Sequence, residues 1–187
     1  MKRTVISILL VFLISFAVFS QNAPVDLIVL LDTSANMSSS FHETRDYLIG
    51  PFLREYLNLG DTFHLISFSE RPRLEITRRI AGRGDLETVI ARLLLMYPLD
   101  PGADLNQAID FTERYASSLP PGRTQRIALI TDGNAPDTQN LVDSFSTRLR
   151  GRGAELHYIR VPVPGAARPP AQVTPPADRK SVCRERV

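Results

Sequence analysis

The middle of the chain alternates between apolar runs and segments whose apolar residues recur at helical spacing. Residues 27–31 are all apolar and lead directly into Asp32, a pattern typical of a central strand buried on both faces of a parallel sheet. Residues 62–69, 126–131 and 155–161 are also rich in apolar residues and are bounded by turn-forming residues. We predict that these four segments are the core strands of one sheet.

The segments between these strands have the periodicity of amphipathic helices. Residues 42–58 place apolar side chains three and four positions apart, and Pro51 inside this pattern predicts a kink or a restart of the helix. Asp85 is predicted to cap a second helix, and Asp104 to open a third. Residues 138–150 are predicted to form a fourth helix.

One further segment predicts how the sheet ends. Residues 73–77 follow a turn at Arg71-Pro72 and alternate apolar with polar side chains, which is typical of an edge strand in a hairpin. Strands that alternate with helices indicate an α/β fold of three layers. We therefore predict a doubly wound, mostly parallel, Rossmann-like sheet with helices on both faces and one antiparallel edge strand.

The N-terminus has the pattern of a secretory signal. A short basic start is followed by an apolar run over residues 5–19 and then by Ser20, after which we expect cleavage. The alternative is an uncleaved membrane anchor, although the run is short for a span of about 20 residues. Both interpretations predict a secreted or periplasmic domain, beyond the inner membrane of a bacterium or outside the cell.

The C-terminal end of the chain has a different composition. Six prolines lie in residues 162–177, which predicts an extended linker without regular helix or sheet. One back-translation of residues 178–187 closely resembles a widely used sequencing adapter, and we expect this segment to be non-native and the natural reading frame to continue past Ala177. The alternative is an ordinary basic tail. These assignments leave residues 21–161 as the folded domain.

Charge and cysteine content exclude several classes of function. The 187 residues have a formal net charge of +2, but residues 21–177 hold 16 arginines, no lysine and 18 acidic residues, for a net charge of −2. This balance argues against a nucleic-acid-binding protein. The single cysteine, Cys183, lies in the suspected tail, so the domain has neither a disulfide framework nor a cysteine zinc site.

Two acidic residues follow predicted strands directly. Asp32 ends the first strand and Asp132 follows the third, and ligands of open α/β sheets bind beyond such carboxyl ends. Ser34 and Asn36 follow Asp32 closely, and carboxylate, hydroxyl and amide oxygens suit a hard cation such as Mg²⁺ or Ca²⁺. In the alternative interpretation, the two carboxylates only cap helices and accept hydrogen bonds from loop amides.

The motifs at these positions resemble one family. Residues 32–37, DTSANM, look like the D-x-S-x-S motif of von Willebrand factor A (vWA) domains, and residues 130–133, ITDG, look like the second acidic loop of that family. Residues 101–109, PGADLNQAI, resemble the intervening loop and helix start. The resemblance covers residues 25–161. The last strand and helix of the family are not evident before the proline-rich segment.

The resemblance implies a metal-ion-dependent adhesion site with Mg²⁺, Mn²⁺ or Ca²⁺. By position, its ligands are Asp32, Ser34 and Asp132, with Asn36 where the family has a second serine. Ala103 replaces the expected threonine and supplies no oxygen, so we expect a degenerate site. In the family mechanism, an acidic side chain of a protein partner completes the coordination of the cation.

This resemblance predicts a protein-binding module rather than an enzyme. The first alternative is a metal-free vWA scaffold within a larger, truncated protein. A more remote alternative is a hydrolase of unknown substrate, although no Gly-x-Ser-x-Gly sequence surrounds the serines at 38–40. We expect no nucleic-acid partner, and membrane contact only through an uncleaved signal or a missing C-terminal segment.

Overall fold

The computed structural model describes residues 23–162. The signal segment, the tail and nearly all of the proline-rich linker lie outside the described residues. The strands are β1 (Val25–Asp32), β2 (Thr62–Phe68), β3 (Arg73–Arg79), β4 (Thr124–Thr131) and β5 (Glu155–Arg160). The helices are α1 (Phe41–Tyr47), α2 (Leu53–Tyr56), α3 (Arg83–Leu94), α4 (Leu105–Ser118) and α5 (Thr138–Arg150), with a 3₁₀ turn at Ala35–Met37.

The five strands form one sheet in the order β3-β2-β1-β4-β5. β1 is parallel to both β2 and β4, β4 is parallel to β5, and only β3 runs antiparallel to its neighbour. The predicted fold class and the antiparallel edge strand are therefore confirmed. The prediction of a fourth core strand is wrong in one respect, because β5 is the other edge of the described sheet and its residues are only half-buried or exposed.

Two apolar cores lie on opposite faces of the sheet because side chains alternate along β1. Leu27, Val29 and Leu31 belong to one core, with residues of α1, α2 and α3, whereas Ile28 and Leu30 belong to the other, with residues of α4 and α5. Every residue of β1 is buried. This burial on both faces explains why the segment is a continuous apolar run.

The first helical segment changes character at the predicted proline. α1 continues through a π-helical turn (Leu48–Phe52) that contains Pro51, and α2 follows it directly. Proline cannot donate the usual backbone hydrogen bond, and a π-turn is one way in which a helix accommodates such a break. None of the helices within residues 23–162 has the length and apolarity needed to span a membrane.

Acidic residues shape the starts of two helices in different ways. Asp104 is the N-cap of α4, as predicted, and its carboxylate accepts a hydrogen bond from the Gln107 amide at 2.9 Å. Asp85 is not the cap of α3, because the helix begins earlier, at Arg83, with Gly82 as the cap. The Asp85 carboxylate instead accepts hydrogen bonds from the Ala81 and Gly82 amides, as in one half of a capping box.

Glu75 on β3 gives the fold a measurable pH dependence. Burial alone would raise the pKa of Glu75, but hydrogen bonds from Ser67 and Arg92 and the charges of Arg92 and Arg73 outweigh it, so the pKa lies below its usual value of 4.5. The stabilisation is therefore present above that value and is lost as the pH falls through the folded-state pKa. Glu75→Gln should lower the free energy of unfolding by about 1 kcal/mol at neutral pH.

Chemical denaturation at several pH values checks this prediction, since the difference from wild type should shrink in acid. Glu87→Gln is the matched control, because Glu87 pairs with Arg83 at the surface, where both side chains are more than half exposed. The control should change stability by less than about 0.5 kcal/mol. A Glu75→Gln variant as stable as wild type at neutral pH would contradict the role given to Glu75.

Candidate metal centre

The carboxyl ends of β1 and β4 meet where the chain changes direction across the sheet. From β1 the chain adds β2 and β3 on one side, and it then crosses to add β4 and β5 on the other. Leu31 pairs with Ile130, which places Asp32 beside Thr131 at the carboxyl ends of the two strands. Such a switch in strand order opens a crevice at which α/β proteins bind ligands.

Asp32 is held in this crevice by two hydrogen bonds. Its side chain is buried, and its two carboxylate oxygens accept from the Ser34 amide at 2.9 Å and from the Thr131 hydroxyl at 2.7 Å. Burial raises the pKa of Asp32 above its usual value, and the charge of Asp132 adds to this, while the bonds from Thr131 and Ser34 oppose it. The ionised carboxylate therefore lacks part of the stabilisation that water would give.

Ser34 contributes an unsatisfied hydroxyl to the same crevice. The residue has no exposed surface, and its Oγ has no hydrogen-bond partner within residues 23–162. The Ser34 side chain lies close to the Asp32 carboxylate and partly opposes the rise in its pKa that burial causes. A buried hydroxyl without a partner is uncommon in proteins and requires an explanation.

Asp132 is the second buried carboxylate, with 3% of its surface exposed. One oxygen accepts from the Asn134 amide at 2.9 Å and the other from the Asn134 side chain at 2.8 Å. The backbone carbonyl of Asp132 accepts from Nε of Arg160 at 3.2 Å. These contacts hold the loop after β4 in place, and they also fit the alternative in which the carboxylate satisfies loop amides.

Asn36 and Ala103, the other two positions of the predicted site, make fewer contacts with its carboxylates. Asn36 is exposed on the 3₁₀ turn, and in the described part of the chain it forms no hydrogen bond to Asp32, Ser34 or Asp132. Ala103 is partly buried against the core below α4. The structure therefore brings three of the predicted ligands to one crevice and leaves Asn36 at its rim.

A third loop closes the crevice through contacts that sequence reasoning missed. The Asp100 carbonyl accepts from the Ala35 amide at 2.7 Å, and the Asp100 carboxylate accepts from the Ser69 hydroxyl at 2.5 Å. The Asp104 amide donates to the Ser69 carbonyl at 2.8 Å. Since the Asp104 carboxylate caps α4, it is already occupied and does not replace the oxygen that Ala103 lacks.

Thr131 and Asn134 were also missed, although both flank the predicted Asp132. The only sequence signal was their position, since polar residues beside a strand-end acid belong to the same loop. Ser69 and Asp100 gave no such signal, because each is distant in sequence from Asp32. Their contribution depends on how three separate loops meet above the sheet.

The order of elements and this crevice agree with a comparison to known families. The sequence model of the von Willebrand factor type A domain matches residues 27–134, more than half of the chain. The chain belongs to this family. The match begins two residues into β1 and extends just beyond Asp132, so it includes the whole candidate site.

Solved structures of vWA proteins share the fold at low sequence identity. An aerotolerance-related membrane protein from Bacteroides fragilis, with multiple mutations to serines, is 18% identical with a TM-score of 0.59, over 83% of this chain and 76% of its own. The manganese-loaded TRAP protein of Plasmodium vivax is 18% identical, with a TM-score of 0.60. The match covers 75% of this chain and 58% of the TRAP chain. Proximal thread matrix protein 1 from mussel byssus, with a zinc-occupied MIDAS motif, is 14% identical, with a TM-score of 0.55. The match covers 73% of this chain and 37% of the mussel chain.

The residues of this vWA domain fit a cation only when carboxylates and a hydroxyl are considered together. Within residues 23–162, no three histidine, cysteine or acidic side chains lie together as a metal-binding group, so carboxylates alone do not form a site. The crevice does combine two buried carboxylates with the unpaired Ser34 hydroxyl. Such an all-oxygen set suits Mg²⁺ or Mn²⁺, which keep water molecules as their remaining ligands.

Gly133 keeps the second acidic loop of the vWA domain in its conformation. Its φ of +73° is unfavourable for other residues, and an added Cβ would lie 2.9 Å from Nε of Arg160 and from the hydroxyl of Tyr158. Gly133→Ala should therefore lower the free energy of unfolding by about 1–3 kcal/mol. Thermal unfolding measures the loss.

Gly84→Ala is the matched control for this substitution. Gly84 lies in α3, where an added Cβ meets no atom within 4 Å. Alanine should leave stability unchanged or raise it by up to about 1 kcal/mol. If both variants unfold at the wild-type temperature, the conformation described for the loop after β4 is wrong.

Proposed function

We propose that this vWA domain is a secreted or periplasmic protein-binding module whose partner binding depends on a divalent cation. The observation that carries the proposal is the fully buried, unpaired Ser34 hydroxyl beside the buried carboxylate of Asp32. A cation in the crevice would use that hydroxyl and offset the cost of burying the two acids. vWA domains generally serve as adhesion or scaffold modules, which supports a binding role over an enzymatic one.

In this proposal, Asp32, Ser34 and Asp132 hold the ion, and Asn36 lies at the rim where its amide oxygen can join them. Thr131 positions Asp32 through its hydroxyl, and Asn134 positions Asp132. A bound Mg²⁺ or Mn²⁺ would keep water molecules among its ligands, and a carboxylate oxygen of a partner could replace one of them. The Plasmodium neighbour is manganese-loaded and the mussel neighbour has a zinc-occupied MIDAS motif, which supports a cation in a domain of this fold.

A metal-free scaffold remains the second candidate function, and two observations favour it. Ala103 supplies no oxygen, and both carboxylate oxygens of Asp132 are already bonded to Asn134. In this case the three loops would bind a partner through their own polar and apolar groups. The two candidates differ in whether the cation changes stability and binding.

Titration calorimetry with millimolar Mg²⁺ or Mn²⁺ tests the proposal, and Ala103→Thr sharpens the test. Threonine restores a hydroxyl on the third loop, so we expect the variant to bind the cation about tenfold more tightly than wild type. Ala103→Val is the matched control, because valine has nearly the same shape without the oxygen. It should bind no more tightly than wild type.

The absence of binding heat and of any thermal shift in both wild type and Ala103→Thr would overturn cation dependence and leave the scaffold function. Equal tightening by threonine and valine would show that bulk, rather than the added oxygen, changes the site. Cation binding with the expected order of affinities would support the proposed ligand set.

A further inference from the structure

An exposed apolar segment connects α3 to the loop that closes the crevice. Leu94, Leu95, Tyr97 and Leu99 are 51%, 73%, 68% and 77% exposed, and we refer to these four residues as the apolar strip. Residues 93–99 contain no charged side chain. Single exposed apolar residues are ordinary, but four within six positions form a patch of the kind that marks an interaction site.

Contacts at both ends of the apolar strip place it near the carboxyl ends of β1 and β2, where the candidate site lies. At the α3 end, Arg92 is paired with Glu75, which accepts a hydrogen bond from Ser67, and Ser67 lies opposite Leu31, one residue before Asp32. At the other end, Leu99 is followed by Asp100, whose carbonyl is bonded to the Ala35 amide. The strip therefore ends beside the loop that follows Asp32.

Chain geometry limits how far the apolar strip extends from the crevice. An extended chain spans at most about 3.6 Å per residue, so Tyr97 lies within about 11 Å of Asp100. A partner segment of a few residues is long enough to contact both the strip and the crevice. Leu99 is thus the end of the strip nearest the crevice.

The cation of the proposed function would attract an acidic partner. The nearby side chains are balanced in charge, since Arg71 and Arg73 are accompanied by Glu70 and Asp100. Arg71 is exposed in the turn between β2 and β3. Arg73 is exposed at the start of β3, where its guanidinium lies 3.8 Å from the Asp100 carboxylate. A cation in the crevice would neutralise the negative charge of Asp32 and Asp132. The surface would then combine a cation that can bind a carboxylate with an uncharged apolar strip.

We propose that the apolar strip is the second half of the partner-binding surface. Its occupant is a protein segment in which apolar side chains flank the acidic residue that reaches the cation. This inference rests on the proposed function and adds the chemistry of the partner to it. Interfaces of this kind concentrate aromatic and aliphatic side chains at an uncharged centre, and the strip provides such a centre next to the crevice.

Three short fluorescent peptides test the inference by polarisation, in Mg²⁺ and in EDTA. The first has a glutamate between leucine and phenylalanine, the second has the same glutamate between serines, and the third replaces the glutamate of the first with glutamine. In Mg²⁺ we expect the first peptide to bind the wild-type chain about tenfold more tightly than either of the others. EDTA should remove this binding.

The variant Leu95→Ser/Tyr97→Ser/Leu99→Ser should bind the first peptide no more tightly than the second. Leu59→Ser is the control. Leu59 is 74% exposed, but it precedes the amino end of β2 and so lies at the opposite end of the strands from the candidate site. It should bind all three peptides as wild type does. All replaced residues are exposed, so thermal unfolding should give wild-type midpoints for both variants.

The other outcomes separate the inference from the proposed function. If both glutamate peptides bind equally in Mg²⁺, the strip plays no part and cation-dependent binding stands. If the leucine–phenylalanine peptides bind equally with glutamate or glutamine and in EDTA, cation dependence fails and this inference fails with it. If none of the three peptides binds, the assignment of an acidic partner to the strip is overturned. A dimer in sedimentation velocity that the triple variant abolishes would also overturn it.

Discussion

Leu30→Ala is expected to lower the free energy of unfolding by about 2–5 kcal/mol, the range for a leucine removed from a close-packed core. Leu30 is fully buried in β1, and it packs in the core between the sheet and the α4–α5 layer. Its strand is bonded to neighbours on both sides, which limits how far the backbone can move to fill the cavity. Denaturant titration of the full chain measures the loss.

Leu59→Ala is the matched control, since it removes the same atoms from a side chain that is 74% exposed. Its effect should stay within about 0.5 kcal/mol. Equal losses at Leu30 and Leu59 would contradict the central position of β1.

Asp32→Ala is expected to abolish all stabilisation of the domain by Mg²⁺ or Mn²⁺. At a cation concentration one hundred times the Kd, binding to the native state alone stabilises it by about 2.7 kcal/mol, and the variant should gain none of this. Alanine also leaves the Ser34 amide and the Thr131 hydroxyl without their acceptor. Thermal unfolding across a cation titration measures both effects.

Asp32→Asn separates the loss of charge from the loss of hydrogen bonds. Asparagine keeps an oxygen acceptor, and it removes the carboxylate whose pKa burial raises. We expect this variant to respond weakly or not at all to the cation, while unfolding near the wild-type temperature in EDTA. Asp110→Ala is the surface control, since Asp110 is exposed on α4 and its loss should leave the cation response intact. A full response in Asp32→Ala would exclude Asp32 as a ligand.

The layers of this fold were predictable because burial leaves a direct record in the sequence. Residues 27–31 of β1 are buried on both faces of the sheet and are all apolar, whereas β3 lies at an edge and alternates. Asp32 and Asp132 were found for the same reason, since each interrupts an apolar run where the strand leaves the core. Local patterns identify such positions because their cause is also local.

Features that depend on distant partners were not predictable. β5 contains Leu156, Tyr158 and Ile159, as a core strand would, yet it lies at the edge of the described sheet. Strand order leaves little trace in the strand itself. Asp85 was assigned as a cap because caps and first-turn acids use the same residue types. The contact between Arg123 and Asp26, at 2.6 Å, joins residues 97 positions apart, and no spacing rule indicates it.

The pairing of β1 with β4 also determines the order in which the chain can fold. Leu30 and Leu129 lie side by side in the sheet although nearly a hundred residues separate them. While the protein is being synthesised, β1 can pair with β2 early, but its other edge stays open until β4 has left the ribosome. Non-local parallel pairing of this kind folds slowly, and an uncovered apolar strand invites association with other chains. The strand that is best protected in the finished domain is therefore the one most exposed to aggregation during its formation.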